Sequence, residues 1–292
     1  MDPLNHHLVR AGLRVPDIER SAAHAVEVLG LDIVTRDATQ VALALPGQDP
    51  CLILRAADAA EFDFMALRTT ADNLAEIRNR LQVKGIDPLP AVELDGDALR
   101  VHAPNGVAVE VGVGAAPVRN ESPRPSGPVI GSLDHLSFSA EDPGAFRDFF
   151  IDVLGFRLSD SFLDERHWLR CNPNHHTVAV FSGRDGLHHY AFETADIRGL
   201  AQLGDLLAER AQNFIWGPGR HGLGQNIFTY HLDPAGSILE VTSDMLQIES
   251  EAEWEAEVWT DAAKSGVLWG PMPPTGFRDL SIPAGSAPEQ VR

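Results

Sequence analysis

"FSAEDPGAFRDFFIDVLGFRLS", residues 138–159, reads as strand, acidic cap, amphipathic helix, glycine stop and strand again. Asp142 suits the N-cap and Pro143 the first helical turn. Phe146, Phe149, Phe150, Val153 and Leu154 then fall on one helical stripe. Gly155 supplies the left-handed residue that ends the helix. The same plan stands earlier in the chain as "LRVPDIERSAAHAVEVLGLDIV", residues 13–34, with Asp17 as cap and Gly30 as stop. "VLG" recurs at 28–30 and 153–155, an offset of 125 residues.

A second pair of matches lies downstream of each first one. "ALRTTADNLAEI" (66–77) parallels "AFETADIRGLAQL" (191–203), and "APNGVAVEVGV" (103–113) parallels "DPAGSILEVTS" (233–243). Each half therefore holds two units of strand, helix and further strands. The four units span about 6–55, 60–113, 131–182 and 187–243. One such unit cannot cover both its faces, but paired units can curl their strands around a shared cleft. The fold class is α+β, in two tandem domains: 1–115 and 131–245. The Pro- and Ser-rich stretch 116–130 reads as their linker. Residues 246–292 read as an acidic, Trp-bearing, helix-like segment and a loose tail.

The totals suit two domains, at 292 residues with 44% hydrophobic and 22% charged side chains. A net charge of −19 repels nucleic-acid phosphates and anionic lipid. No apolar run approaches the roughly 20 residues that cross a bilayer, and the N-terminus lacks the pattern of a signal peptide. Cys51 and Cys171 stand far apart in no paired motif, which points to a reducing cytoplasm. No "GxxxxGK[ST]", "GxSxG" or "HExxH" pattern is present.

The second half is rich in histidine: His175 with His176, and His188 with His189, lie within 171–193. Alternation along strands puts His135 on one face with Leu133 and Ser137, His189 with Ala191, and Glu240 with Ile238. His188 falls on the opposite face, shared with Tyr190. A lone charge among such apolar neighbours is costly, and a metal would relieve it. Two imidazoles and a carboxylate form a facial triad suited to Fe(II) and O2 chemistry. The first half is an internal control. The offset puts Arg10 at the place of His135, Phe64 or Met65 at that of His189, and Glu110 at that of Glu240. The first half reads as a structural copy, the second as the half that binds metal. His175 reads as a strand-end polar residue, His6 and His7 as a solvated N-terminus, and His24 as unpartnered.

The motifs "DHLSF", "NHHTVAVF", "LHHYAFE" and "GPGRHGLGQNIFTYHLDPAGSILEV" resemble those of the type I extradiol ring-cleavage dioxygenases, the catechol 2,3-dioxygenase-like branch of the vicinal oxygen chelate superfamily. The resemblance spans nearly all of 6–245. It implies two βαβββ modules per domain, as in the glyoxalase-like fold, with metal only in the second domain. It implies His135, His189 and Glu240 as ligands of Fe(II), with Mn(II) as the alternative ion. It implies His176 as the acid–base residue, with His221 and Tyr230 contacting the substrate's hydroxyl groups. The expected activity is cleavage of an aromatic diol by O2 beside the diol, in a homo-oligomer. Leu223 and Ser137 stand where some members carry asparagine, a difference that bears on substrate subgroup. Two other readings remain: a non-oxidative metal-dependent lyase or isomerase of the same fold, and a metal-free binding protein.

Overall fold

The computed structural model describes residues 5–285. In the first half, β1 (His7–Val15), α1 (Ile18–His24), β2 (Asp32–Arg36), β3 (Gln40–Ala44) and β4 (Pro50–Ala56) make the first unit. The second unit is β5 (Glu61–Thr69), α2 (Ala71–Lys84), β6 (Ala98–His102) and β7 (Ala108–Val113). Their strands form one sheet in the order β2-β3-β4-β1-β5-β7-β6. In the second half, β8 (Ile130–Ala140), α3 (Pro143–Asp152), β9 (Arg157–Phe162), β10 (Arg166–Arg170) and β11 (Val178–Ser182) are followed by β12 (Gly186–Thr194), α4 (Ile197–Glu209), β13 (Trp216–Arg220), β14 (Ile227–Leu232) and β15 (Ile238–Ser243). These strands continue the same plan in the order β13-β14-β15-β12-β8-β11-β10-β9.

Three of the four units are thus βαβββ. The second has one strand fewer, because residues around 90–97 run as a loop joined to β6 by a single bridge, Leu89 to Arg100. The caps form as read: Asp17 accepts from the Arg20 N–H and Asp142 from the Ala145 N–H. Gly30 and Gly155 take left-handed φ of 72° and 79° where the chain leaves its helices. The α3 stripe buries Phe146, Phe149 and Phe150, each contributing roughly 2–3 kcal/mol by burial. Phe62 and Phe138 meet edge-to-face across the two halves, ring centres 5.3 Å apart.

Three expectations are corrected. The segment after 245 is not helix-like. It runs as turns, β16 (Glu257–Trp259), the short α5 (Ala262–Gly266), a 3-10 turn (Phe277–Asp279) and β17 (Ile282–Pro283). It is no loose tail through 285 either, since β16 joins β9 and β17 joins β12; the Gly and Pro that break its helix leave backbone groups free to pair with the sheet. His6 is not solvated but 3% exposed, stacked beside Phe156. His24 is not alone, because the fold brings it to His231 of the other half, Nε2 to Nε2 at 3.4 Å. Among the described residues no helix is long and apolar enough to cross a membrane.

Candidate metal centre and its cavity

β12 lies between β8 and β15. It runs antiparallel to β8, with His189 opposite Ser137, and parallel to β15, with Ala191 beside Glu240. Those registers bring His135, His189 and Glu240 from three adjacent strands to one point. The Nε2 atoms of the two histidines are 3.3 Å apart, and each is 3.1 Å from Glu240 Oε2. Three donors at right angles and about 2.1 Å from one ion stand roughly 3.0 Å apart, so the set fits a divalent cation. All three are buried, with Glu240 1% exposed. Burial resists charge on each; it wins at His189, whose pKa is lowered, while at His135 and Glu240 the cluster's own attraction wins. Glu240 and Asp134 push His135 up to about 10, and the two histidines hold Glu240 well below the ordinary carboxylate range.

The remaining atoms of the trio are also held. Asp134 Oδ2 accepts from His135 Nδ1 at 2.6 Å, so the Nδ1 proton is held there and a metal need displace only the proton on Nε2. Asn226 Nδ2 donates to Glu240 Oε1 at 3.1 Å, leaving Oε2 toward the histidines. Neither spacing nor periodicity singles out Asn226, a buried amide just ahead of β14.

His176, His221 and Tyr230 line the same cavity, of about 400 Å³, as the trio. Asp160 Oδ2 accepts from His175 Nε2 at 2.9 Å, and His175 Nδ1 lies 3.2 Å from His176 Nδ1. A carboxylate only accepts, so His175 carries its proton on Nε2 and takes the His176 Nδ1–H. His176 Nε2 therefore presents a lone pair, and burial with His135 and His175 keeps the ring well below its ordinary pKa. His175, read from the sequence as a bland strand-end residue, holds the proton pattern of His176. On the other wall, Gly266 O accepts from His221 Nδ1 at 2.7 Å, and Tyr230 O–H donates to His221 Nε2 at 3.0 Å. Burial and Glu240 raise Tyr230 well above its ordinary value, so its hydroxyl keeps its proton.

His188 lies in the cavity wall rather than on the far face. A β-bulge between Leu187 and His189 breaks the alternation that the sequence reading assumed. Its former companion Tyr190 points elsewhere and donates to Asp233 Oδ2 at 2.9 Å. The C-terminal segment closes the cavity with Gly266, Met272 and Phe277, a contribution the sequence reading missed because the contact is remote in sequence.

Residues 132–241 match the family model of the Glyoxalase/Bleomycin resistance protein/Dioxygenase superfamily. Metapyrocatechase 2 of Cupriavidus necator is 35% identical over 148 residues, covering 50% of this chain and 46% of that protein. The manganese-dependent 2,3-dihydroxybiphenyl 1,2-dioxygenase of Geobacillus genomosp. 3 is 28% identical over 300 residues, covering 91% of this chain and 95% of that one. Among solved structures, the Mn(II)-bound glyoxalase from Novosphingobium aromaticivorans superposes with a TM-score of 0.84 at 25% identity, covering 98% of this chain and 97% of that one.

Proposed function

We propose that this chain, a member of the Glyoxalase/Bleomycin resistance protein/Dioxygenase superfamily through residues 132–241, is a metal-dependent extradiol dioxygenase. It opens a catechol-type ring beside the vicinal diol with O2, giving a ring-opened hydroxymuconic semialdehyde-type product. One observation carries the reading. A single cavity joins a metal-ready trio, a histidine with a bare Nε2, and a tyrosine–histidine pair.

His135, His189 and Glu240 would hold Fe(II), and the same two-nitrogen, one-carboxylate set also suits Mn(II). When bound, the ion would lower the pKa of a diol hydroxyl and carry electrons between diol and O2. The chain's residues supply the proton handling. A diol hydroxyl that enters between Tyr230 and His221 can give its proton to His221 Nε2, because Gly266 O keeps the His221 proton on Nδ1. His176 Nε2 takes a proton and returns it to oxygen as the ring opens, and its neutral resting form suits that order. Trp216 stacks on Tyr230 at 5.2 Å and holds the orientation of its ring. Arg166 and Arg278 also line the cavity, Arg166 lying over the Phe162 ring at 4.5 Å. They support a diol that bears an anionic substituent. Buried, unpaired Cys51 and Cys171 support a cytoplasmic setting.

The match to a glyoxalase favours a second reading, a non-oxidative lyase or isomerase using the ion as a Lewis acid. Anaerobic loading with Fe(II), followed by oxygen-electrode traces with a panel of catechols, separates the two. One O2 consumed per diol, with a yellow product, is expected, and the carboxylated catechols should lead the panel. Turnover of a thiol–aldehyde adduct without O2 uptake would sink the dioxygenase reading.

A further inference from the structure

We propose that His188 is a positioning residue that ties the metal ligand His189 to the C-terminal segment, so that metal binding and closure of that segment reinforce each other. The inference rests on His189 being a ligand. His188 and His189 meet Nδ1 to Nδ1 at 2.7 Å, and His188 Nε2 lies 3.1 Å from Phe277 O. A backbone carbonyl only accepts, so His188 carries a proton on Nε2. The ring sits between Phe181 and Phe277, with ring centres at 5.5 and 5.0 Å, and among the described residues its two nitrogens bond only to His189 Nδ1 and Phe277 O, not to a carboxylate. A neutral imidazole has one N–H, so His188 Nδ1 is an acceptor and the shared proton belongs to His189 Nδ1. That leaves His189 Nε2 bare, and Nε2 is the atom facing His135 and Glu240. Starting from the metal gives the same pattern: a ligating Nε2 forces the His189 proton onto Nδ1, then the His188 proton onto Nε2, toward Phe277 O.

The bulge makes this contact possible, since without it neighbouring residues would face opposite sides of β12. The segment beyond Phe277 returns to the same strand. β17 pairs Ile282 with Leu187 and Pro283 with Gly186, the two residues just ahead of the histidines. Phe277 also lines the cavity with its ring. The cover of the cavity is therefore bonded to the strand and to the ligand's partner. By linkage, whatever an ion adds to the His188–Phe277 bond, the segment adds to the ion's affinity.

The test uses the full chain, Mn(II) as probe, and two readouts apart from turnover: Mn(II) affinity and amide hydrogen exchange of peptides covering 276–283. In the wild type, Mn(II) should slow exchange there. His188→Phe removes both bonds, and affinity should fall by roughly 10- to 100-fold. His188→Asn keeps an amide oxygen for His189 Nδ1–H but is too short to reach Phe277 O. Its affinity should stay within about threefold of wild type, while Mn(II) no longer slows exchange at 276–283. A His188→Phe chain that binds Mn(II) as tightly as wild type overturns the relay. So does a His188→Asn chain as weak as His188→Phe, or one whose exchange still responds to metal. A wild-type chain that binds no Mn(II) or Fe(II) would instead sink the metal-centre reading, and the relay with it.

Discussion

Glu110 and Glu240 occupy the same place in the two halves, both fully buried, and the chain answers them differently. Glu110 accepts backbone N–H bonds from Val92, Glu93 and Leu94 at 2.7–3.0 Å, and Arg100 pairs with it at 3.0 Å. The donors come from the loop that replaces the missing strand of the second unit. Arg10, at the place of His135, bonds to the carbonyls of Pro50 and Glu93. Phe64 stands opposite Gly12 as His189 stands opposite Ser137, which decides between Phe64 and Met65. Arg100 faces Glu110 across its strand pair as Tyr230 faces Glu240. The first half thus supplies its buried carboxylate with a permanent cation and three N–H groups, and fills the cleft with its own side chains. The second offers Glu240 two imidazoles, of which His135 holds a proton it can give up and His189 is kept neutral by burial, and leaves a cavity. A buried charge must be compensated. One half does so with a fixed guanidinium, and the other with a proton that a metal cation can displace.

The largest effect should come from exchanging the two glutamates' fates. Glu240→Gln should weaken Mn(II) or Fe(II) binding by more than about 100-fold, since a ligand outweighs its partners, and reduce oxygen uptake to background. Glu110→Gln should leave metal affinity unchanged but cost roughly 1–3 kcal/mol of stability in urea unfolding, because half-buried Arg100 then loses its counter-charge and one backbone N–H set loses its charged acceptor. Equal losses of metal binding in the two variants would break the comparison.

His176 is the next point of difference. Val178 sits beside Leu136 as Leu52 sits beside Ala11, so Pro50 stands where His176 does. The first half has no ring nitrogen there at all. Replacing His176 with phenylalanine should leave metal bound and slow turnover by roughly 10²- to 10⁴-fold, read as kcat in air-saturated buffer beside a metal titration. Unchanged kcat would remove His176 from the chemistry.

What the sequence made legible follows from locality. The repeat, the Asp17 and Asp142 caps, the α3 stripe and the trio all depend on spacing within a strand or helix, or on one constant offset between halves. His188 was misread because a single bulge shifts the strand's alternation, and a bulge leaves no mark in apolar–polar pattern. His175 looked bland because its partner, Asp160, is on another strand and is itself held by the Glu257 N–H from the C-terminal segment. That segment looked like loose tail because its worth lies in backbone carbonyls, at Gly266 and Phe277, which every residue possesses. Composition cannot show where a carbonyl will point.

The last expected effect leaves the metal site untouched and concerns the seam between the halves. His24 of the first half meets His231 of the second at 3.4 Å, and His231 Nδ1 has no partner. Burial pushes His24 down to about 4, with Glu27 opposing and Arg210 and Arg20 assisting. Burial and His24 push His231 down to about 3. In the unfolded chain both rings take a proton near pH 6.5. Between about pH 6.5 and 4 the unfolded chain therefore binds more protons than the folded one, and stability rises with pH. The contribution is complete above pH 6.5 and is lost as pH falls toward the folded values. By pH 5 the loss amounts to at most about 2 kcal/mol for each ring, at 1.36 kcal/mol per pKa unit. Urea midpoints at pH 7 and pH 5 measure the loss. In the double variant His24→Leu/His231→Leu the drop between the two should shrink by that amount. The metal affinity of the second half should not change, because neither ring touches the cavity. An unaltered pH dependence would mean that the seam opens to water before it unfolds. The two halves would then be held together by Phe62 against Phe138 and by β1 against β8 rather than by this pair.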